Sequence, residues 1–107
     1  MSLDVYLEAV QPCEVYWRNI THNLGAMARA AGVYRELWRP DEIGITTAGQ
    51  LIEPLRRGVQ WLKDNPDEAR KHNPPNGWGD YEGLLLFCQS YLQACEDNPE
   101  ASVRVSR

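Results

Sequence analysis

The chain has 107 residues, 43 % of them hydrophobic and 24 % charged, with a net charge of −4. That length suits one domain with one core, built without metal or disulfide support, and the composition is ordinary for a globular protein. The acidic balance excludes a broad grip on nucleic acid polymer, which needs a basic face, and no run approaches the roughly 18–20 apolar residues of a membrane span.

Leu3, Val5 and Leu7 alternate with Asp4, Tyr6 and Glu8, the period of a half-buried strand. Gln11-Pro12 marks a turn. Cys13, Val15 and Trp17 then alternate with Glu14, Tyr16 and Arg18, which predicts a second strand and a hairpin, supported by the aromatic and β-branched residues at its centre. From Asn19 the period changes: Ile20, Leu24, Met27, Ala28 and Ala31 recur at helical spacing, with Asn19 or Thr21 as cap and Gly32 as a left-handed stop. Residues 33–38 read as a short helical segment turning Leu37 and Trp38 inward, closed by Pro40, and residues 41–47 read as loop.

Thr46 or Thr47 caps a third helical stretch with Leu51, Ile52, Leu55, Val59 and Leu62 as its apolar stripe. Pro54 inside that pattern either kinks the helix or marks its true start. Asn65-Pro66-Asp67-Glu68 opens a short helix that ends near Asn73. Residues 73–79, with two prolines, two glycines and two asparagines, form a loop. Asp80 caps the last helix, whose buried face runs through Leu84, Leu85, Cys88, Tyr91, Leu92 and Cys95 until Asn98-Pro99 stops it. Val103 and Val105 alternate with Ser102, Arg104 and Ser106 as a terminal strand able to join the hairpin. The expected fold is a single α+β domain over 1–107, a small two- or three-stranded antiparallel sheet packed with three to five helices.

The start Met1-Ser2-Leu3-Asp4 lacks a basic-then-apolar signal pattern, so the expected setting is cytoplasmic, without membrane association. Cys13, Cys88 and Cys95 are odd in number and the last two share one helical pattern, which suits reduced, buried thiols. The same setting makes the sequon-like Asn19-Ile20-Thr21 a coincidence.

Chemistry concentrates in residues 18–24, where Asn19, Thr21, His22 and Asn23 crowd a strand-to-helix junction. A helix start favours anions and polar groups; paired amides read amide-like or purine edges; His22 is a donor, an acceptor or a general base. The same residues are also those a helix start selects for capping alone. A second candidate is residues 76–81, with Asn76, Trp78 and Tyr81, where an indole between two glycines either stacks on a planar ligand or, more commonly, plugs the core. Trp38-Arg39 offers a stacking and anion-binding pair, against the plainer reading of a core indole beside a solvated arginine. Arg29, Arg35, Arg39, Arg56 and Arg57 cluster in sequence and leave room for one small anionic ligand. His22, His72 and the cysteines have no zinc spacing, and neither a nucleophile elbow nor a phosphate loop is present. No metal and no cofactor is expected.

The runs Asn19-Ile20-Thr21-His22-Asn23-Leu24, Leu37-Trp38-Arg39-Pro40 and Asn76-Gly77-Trp78-Gly79, with the tail Val103-Arg104-Val105-Ser106-Arg107, resemble those of a family of small bacterial, phage and prophage proteins. The resemblance spans nearly the whole chain. It implies an intracellular, mobile-element setting and transfers no catalytic role, since no activity is established for the family.

The residues favour a non-enzymatic binder of a small polar or anionic, nucleotide-like ligand, contacted by Asn19, Thr21, His22, Asn23, Trp38, Arg39, Asn76, Trp78 and Tyr81. The alternative is a protein-interaction or homo-oligomerising module, such as a phage-encoded inhibitor, using its aromatic surface or an edge strand at 102–106. A His22-dependent hydrolase or transferase comes third, and requires the fold to bring Asp80 or Glu82 to the imidazole.

Overall fold

The computed structural model describes residues 2–9 and 14–107. The turn expected at Gln11-Pro12 and the thiol of Cys13 lie outside them. Three strands, β1 (Ser2–Glu8), β2 (Glu14–Thr21) and β3 (Ser102–Ser106), form an antiparallel sheet in the order β2-β1-β3. Five helices cover one face: α1 (Gly25–Ala30), α2 (Tyr34–Trp38), α3 (Ile52–Asp64), α4 (Pro66–Arg70) and α5 (Tyr81–Asp97). The architecture is the expected α+β arrangement, with the terminal strand paired to β1.

Strand β1 is central, and Leu3, Val5 and Leu7 are fully buried beneath the helices. Register carries the same face into Ile20 of β2 and into Val103 and Val105 of β3, while Val5↔Arg18 and Leu7↔Tyr16 put one guanidinium and one phenol on the β2 side of that face. The outer face holds the Tyr6–Trp17 pair, with the Arg104 guanidinium 3.8 Å above the Tyr6 ring and Arg104 bound to Glu8 at 2.8 Å.

Alternation predicts β2 but does not choose its face. Cross-strand partners Leu7↔Tyr16 and Tyr6↔Trp17 point Tyr16 inward and Trp17 outward. Tyr16 stacks on Tyr91 (5.7 Å, 8°) and bonds Ser90 at 3.0 Å, while Trp17 stays 51 % exposed. Leu7 pairs with Tyr16 and Glu8 with Glu14, which leaves Val15 unpaired at a bulge. The strand also runs further than the polar composition of its end suggests, to Thr21, and Ile20 is a strand residue rather than the first of a helix. On the other side of the sheet, Thr46 O accepts from Val103 N (2.9 Å) and Thr47 bridges Ser102. The β3 edge proposed for strand pairing is thus partly covered.

Helix α1 ends in a Schellman arrangement. Val33 N donates to Ala28 O and Gly32 N to Arg29 O, with Gly32 at φ +78°. Gln50 Oε1 accepts from Thr46 N and Thr47 N, fastening the 3-10 turn at residues 48–51 that leads into α3. Pro54 lies in the first turn of α3 and so marks a start, where its missing donor costs nothing. Asn65 does not cap α4; its amide turns back to Trp61 O at the end of α3 (2.9 Å), as Asn98 does to Ala94 O at the end of α5. Asp80 caps α5 through Gly83 N at 2.7 Å.

A single hydrophobic cluster joins the inner sheet face to α3 and α5 and contains Cys88 and Cys95 as free thiols. Burial pushes both up to about 12, with nearby Glu96 adding to the effect on Cys95. The Tyr91 hydroxyl is buried there without a hydrogen-bond partner among the described residues. None of the described helices is long and apolar enough to cross a membrane.

Candidate functional site

Strand β2 delivers Asn19 and Thr21 to the sheet's end, and a 3-10 turn over His22–Leu24 follows. Pairing of Ser2 with Thr21 and of Asp4 with Asn19 brings the start of β1 alongside. Asn19 spends both amide hydrogens, donating to Ser2 Oγ (2.8 Å) and Asp4 Oδ1 (2.6 Å). A carboxylate only accepts, so this fixes the amide's orientation and leaves its carbonyl oxygen outward. Thr21 performs the capping role, its Oγ1 accepting from Asn23 N at 3.3 Å. The exposed Asn23 side chain makes no hydrogen bond among the described residues.

The 73–80 loop reaches the same place because two of its glycines adopt backbone that L side chains avoid, Gly77 at φ +76° and Gly79 at φ +100°. Asn76 Oδ1 accepts from Trp78 N (3.0 Å), an Asx turn that leaves the amide nitrogen unspent. Gly79 sits against the junction so closely that a Cβ there would lie 2.8 Å from Thr21 Cγ2 and 3.0 Å from Leu24 Cγ. Trp78 does not plug the core: it is 69 % exposed. Ser2, Asn19, Thr21, Asn23, Asn76 and Trp78 together line a groove of about 510 Å³. A neighbouring cleft of about 670 Å³ between β2 and α5 shares Asn19 and Thr21 and adds the more apolar Leu24, Leu86 and Phe87.

The other expected contacts lie elsewhere. Tyr81 is buried, donates its hydroxyl to Leu62 O at 2.6 Å and lies beneath the Arg70 guanidinium at 4.7 Å. Its role is to anchor α5 to α3, and it does not reach the groove. Trp38 is also a core residue, 3 % exposed, and its indole N–H donates to His22 Nδ1 at 2.6 Å. That bond leaves the proton of a neutral His22 on Nε2. His22 and Arg39 line a separate pocket with Asn23 as the residue common to both sites. Asp80 and Glu82 are occupied with Gly83 N and with Arg70, so neither supplies the acid partner that a catalytic His22 requires. Arg70 at 2.9 Å holds the Glu82 carboxyl below the usual range. The described residues contain no cluster of three His, Cys, Asp or Glu side chains placed to hold a metal ion.

Ser2 belongs to the groove without any local signal in the sequence, and Gly79, which lines the neighbouring cleft, is legible only as one of the two glycines flanking Trp78. Strand register brings Ser2, and close backbone approach makes Gly79 necessary. Comparison with protein-family models, with curated proteins and with solved structures gives no match, so the site is read from its own chemistry.

Proposed function

We propose that the protein is a non-enzymatic binder of a small planar polar ligand of the nucleotide-like class, held in the Asn19–Trp78 groove. The observation that carries this reading is the indole of Trp78, 69 % exposed on the wall of a groove that also holds three asparagines. An exposed indole offers a stacking face. Asn19 contributes an acceptor, Asn76 a donor, and Asn23 both. This mixed set matches the edge of a nucleobase better than an apolar molecule. The cytoplasmic, phage or prophage setting proposed from the sequence resemblance fits a small protein that sequesters a signalling nucleotide.

Calorimetry and tryptophan-fluorescence titration against nucleosides, nucleotides and cyclic dinucleotides test the proposal. One or more should bind and quench. Trp78→Ala should then weaken affinity about 5- to 150-fold, the equivalent of roughly 1–3 kcal/mol of base stacking. Stability should change by no more than about 0.5 kcal/mol, since the side chain is exposed. No binding across the panel, or binding indifferent to Trp78→Ala, overturns it.

A further inference from the structure

Meeting the groove at Asn23 is a pocket of about 600 Å³ with Arg29, Arg39 and Arg107 in its lining and no acidic side chain among its described lining residues. The three guanidinium groups come from α1, from the residue after α2 and from the residue after β3, so no local sequence pattern announces them. Only Arg29 and Arg39 of the sequence cluster converge here. Arg56 is paired with Glu53 and Glu96, and Arg35 faces an adjoining depression that shares Arg29 and Tyr34 and includes Glu36. One wall is rigidly built. Arg29 lies 3.9 Å above the Tyr34 ring, Tyr34 stacks on Trp38 (5.3 Å, 11°), and Trp38 holds His22 through the 2.6 Å bond to Nδ1.

Donors are left over in this pocket. Arg29 has no acidic partner among the described residues. Arg107 uses one nitrogen, Nη1, for both Trp38 O (3.2 Å) and Asp41 (3.1 Å), and Arg39 reaches Glu42 through its Nη1 at 2.8 Å. Asp41 and Glu42 stand outside the lining, and the Arg107 guanidinium, with Arg39 a weaker contributor, holds the Asp41 carboxyl below its usual range. The groove, by contrast, has no charged side chain among the described residues of its lining, Ser2, Asn19, Thr21, Asn23, Asn76 and Trp78. An anion is therefore favoured in the arginine pocket over the groove, and Asn23 lines both.

We infer that the arginine pocket receives a phosphate-class anion belonging to the ligand whose base occupies the groove, which makes the ligand a nucleotide rather than a nucleoside. The inference rests on the groove reading and adds a second contact zone to it. Arg29, Arg39 and Arg107 bind the phosphoryl oxygens, using the planar donor geometry that suits arginine to phosphate, and the His22 Nε2–H supplies one further donor.

The experiment is a calorimetric comparison of the four common nucleosides, their 5′-monophosphates, cyclic dinucleotides and inorganic phosphate, at 50 mM and 300 mM salt. A phosphorylated ligand should bind at least tenfold tighter than its nucleoside at low salt, with the advantage shrinking at high salt. Arg29→Gln and Arg107→Gln should each remove most of that advantage and leave nucleoside affinity unchanged, whereas Trp78→Ala should weaken both. Equal affinity for nucleoside and nucleotide, insensitive to Arg29→Gln, overturns the anion pocket and leaves the groove reading standing. Phosphate binding that depends on Arg29 without any nucleoside binding supports the pocket and overturns the groove. No binding of either kind overturns both. Because Arg29 is exposed, its variant should fold; retention of the parent melting temperature by Arg29→Gln checks this.

Discussion

Gly79 shows how one missing side chain positions the groove. Its φ of +100° is strained for any other residue, and a Cβ would enter the space of Thr21 and Leu24. Gly79→Ala carries both penalties, strain of about 1–2 kcal/mol and overlap of about 1–3 kcal/mol. The melting temperature should fall by on the order of 10 °C. The loop should lift from the junction, so ligand affinity falls together with stability, unlike Trp78→Ala, which should separate them. A Gly79→Ala variant with parent stability and parent affinity would show that the loop is not held by this contact. The residues around Gly79 also mark where reading the sequence stops. Asn19, Thr21 and Asn23 look alike as amide and hydroxyl groups before a helix, yet one braces β1, one caps the turn and one is unspent. Only the cross-strand register decides among those roles.

At the scale of elements, what was legible is whatever a repeating local preference dictates. The alternation in β1, the left-handed stop at Gly32 and the Asp80 cap stand as the local patterns place them, and so do Leu84, Cys88, Tyr91 and Cys95 of the α5 stripe, whereas Leu85 and Leu92 are only half-buried and Phe87 and Ala94 are buried instead. What was not legible depends on partners distant in the chain: the inward turn of Tyr16 towards Tyr91, the exposure of Trp78, and the arrival of Arg107 beside Arg39. Gly58 belongs to the second group. Within α3 it is a propensity defect, and replacing it by alanine should gain about 1 kcal/mol on helical preference alone. The structure reverses that sign, because a Cβ at Gly58 would overlap Val33 Cγ1, where the chain crosses α3 after leaving α1. Gly58→Ala is expected to lose about 1–2 kcal/mol net in urea denaturation. In a double-mutant cycle with Val33→Ala, the second substitution should relieve part of that loss, giving a coupling of at least about 0.5 kcal/mol. Strict additivity would mean that the helix accommodates the methyl group elsewhere.

For the molecule as a whole, the distribution of titratable groups sets the shape of the stability curve. No charged side chain is buried among the described residues. The carboxyls of Asp41, Glu68 and Glu82 are held low by Arg107, Lys71 and Arg70 respectively, and all three are exposed. Their contribution is present above the ordinary carboxylate range and is lost as pH falls through the lowered values. Solvent screens such pairs, so the acid limb should be shallow and flatten further in salt. The alkaline limb should be steeper. Burial holds Cys88 and Cys95 up to about 12, and pushes the Tyr91 phenol upward as well. Above roughly pH 9 an unfolded chain releases these thiol protons while the folded chain keeps them. The unfolded state then binds fewer protons, and stability must fall as pH rises, by up to about 1.4 kcal/mol per pH unit for each group withheld. Urea midpoints measured from pH 7 to 11 should therefore hold level to about pH 8.5 and then decline. Cys88→Ala, compared with its own value at pH 7, should decline less steeply by up to one group's share. A parent curve that stays flat to pH 11 would show that these thiols ionise in the folded state about as readily as in the unfolded chain, and that the core around α5 admits water.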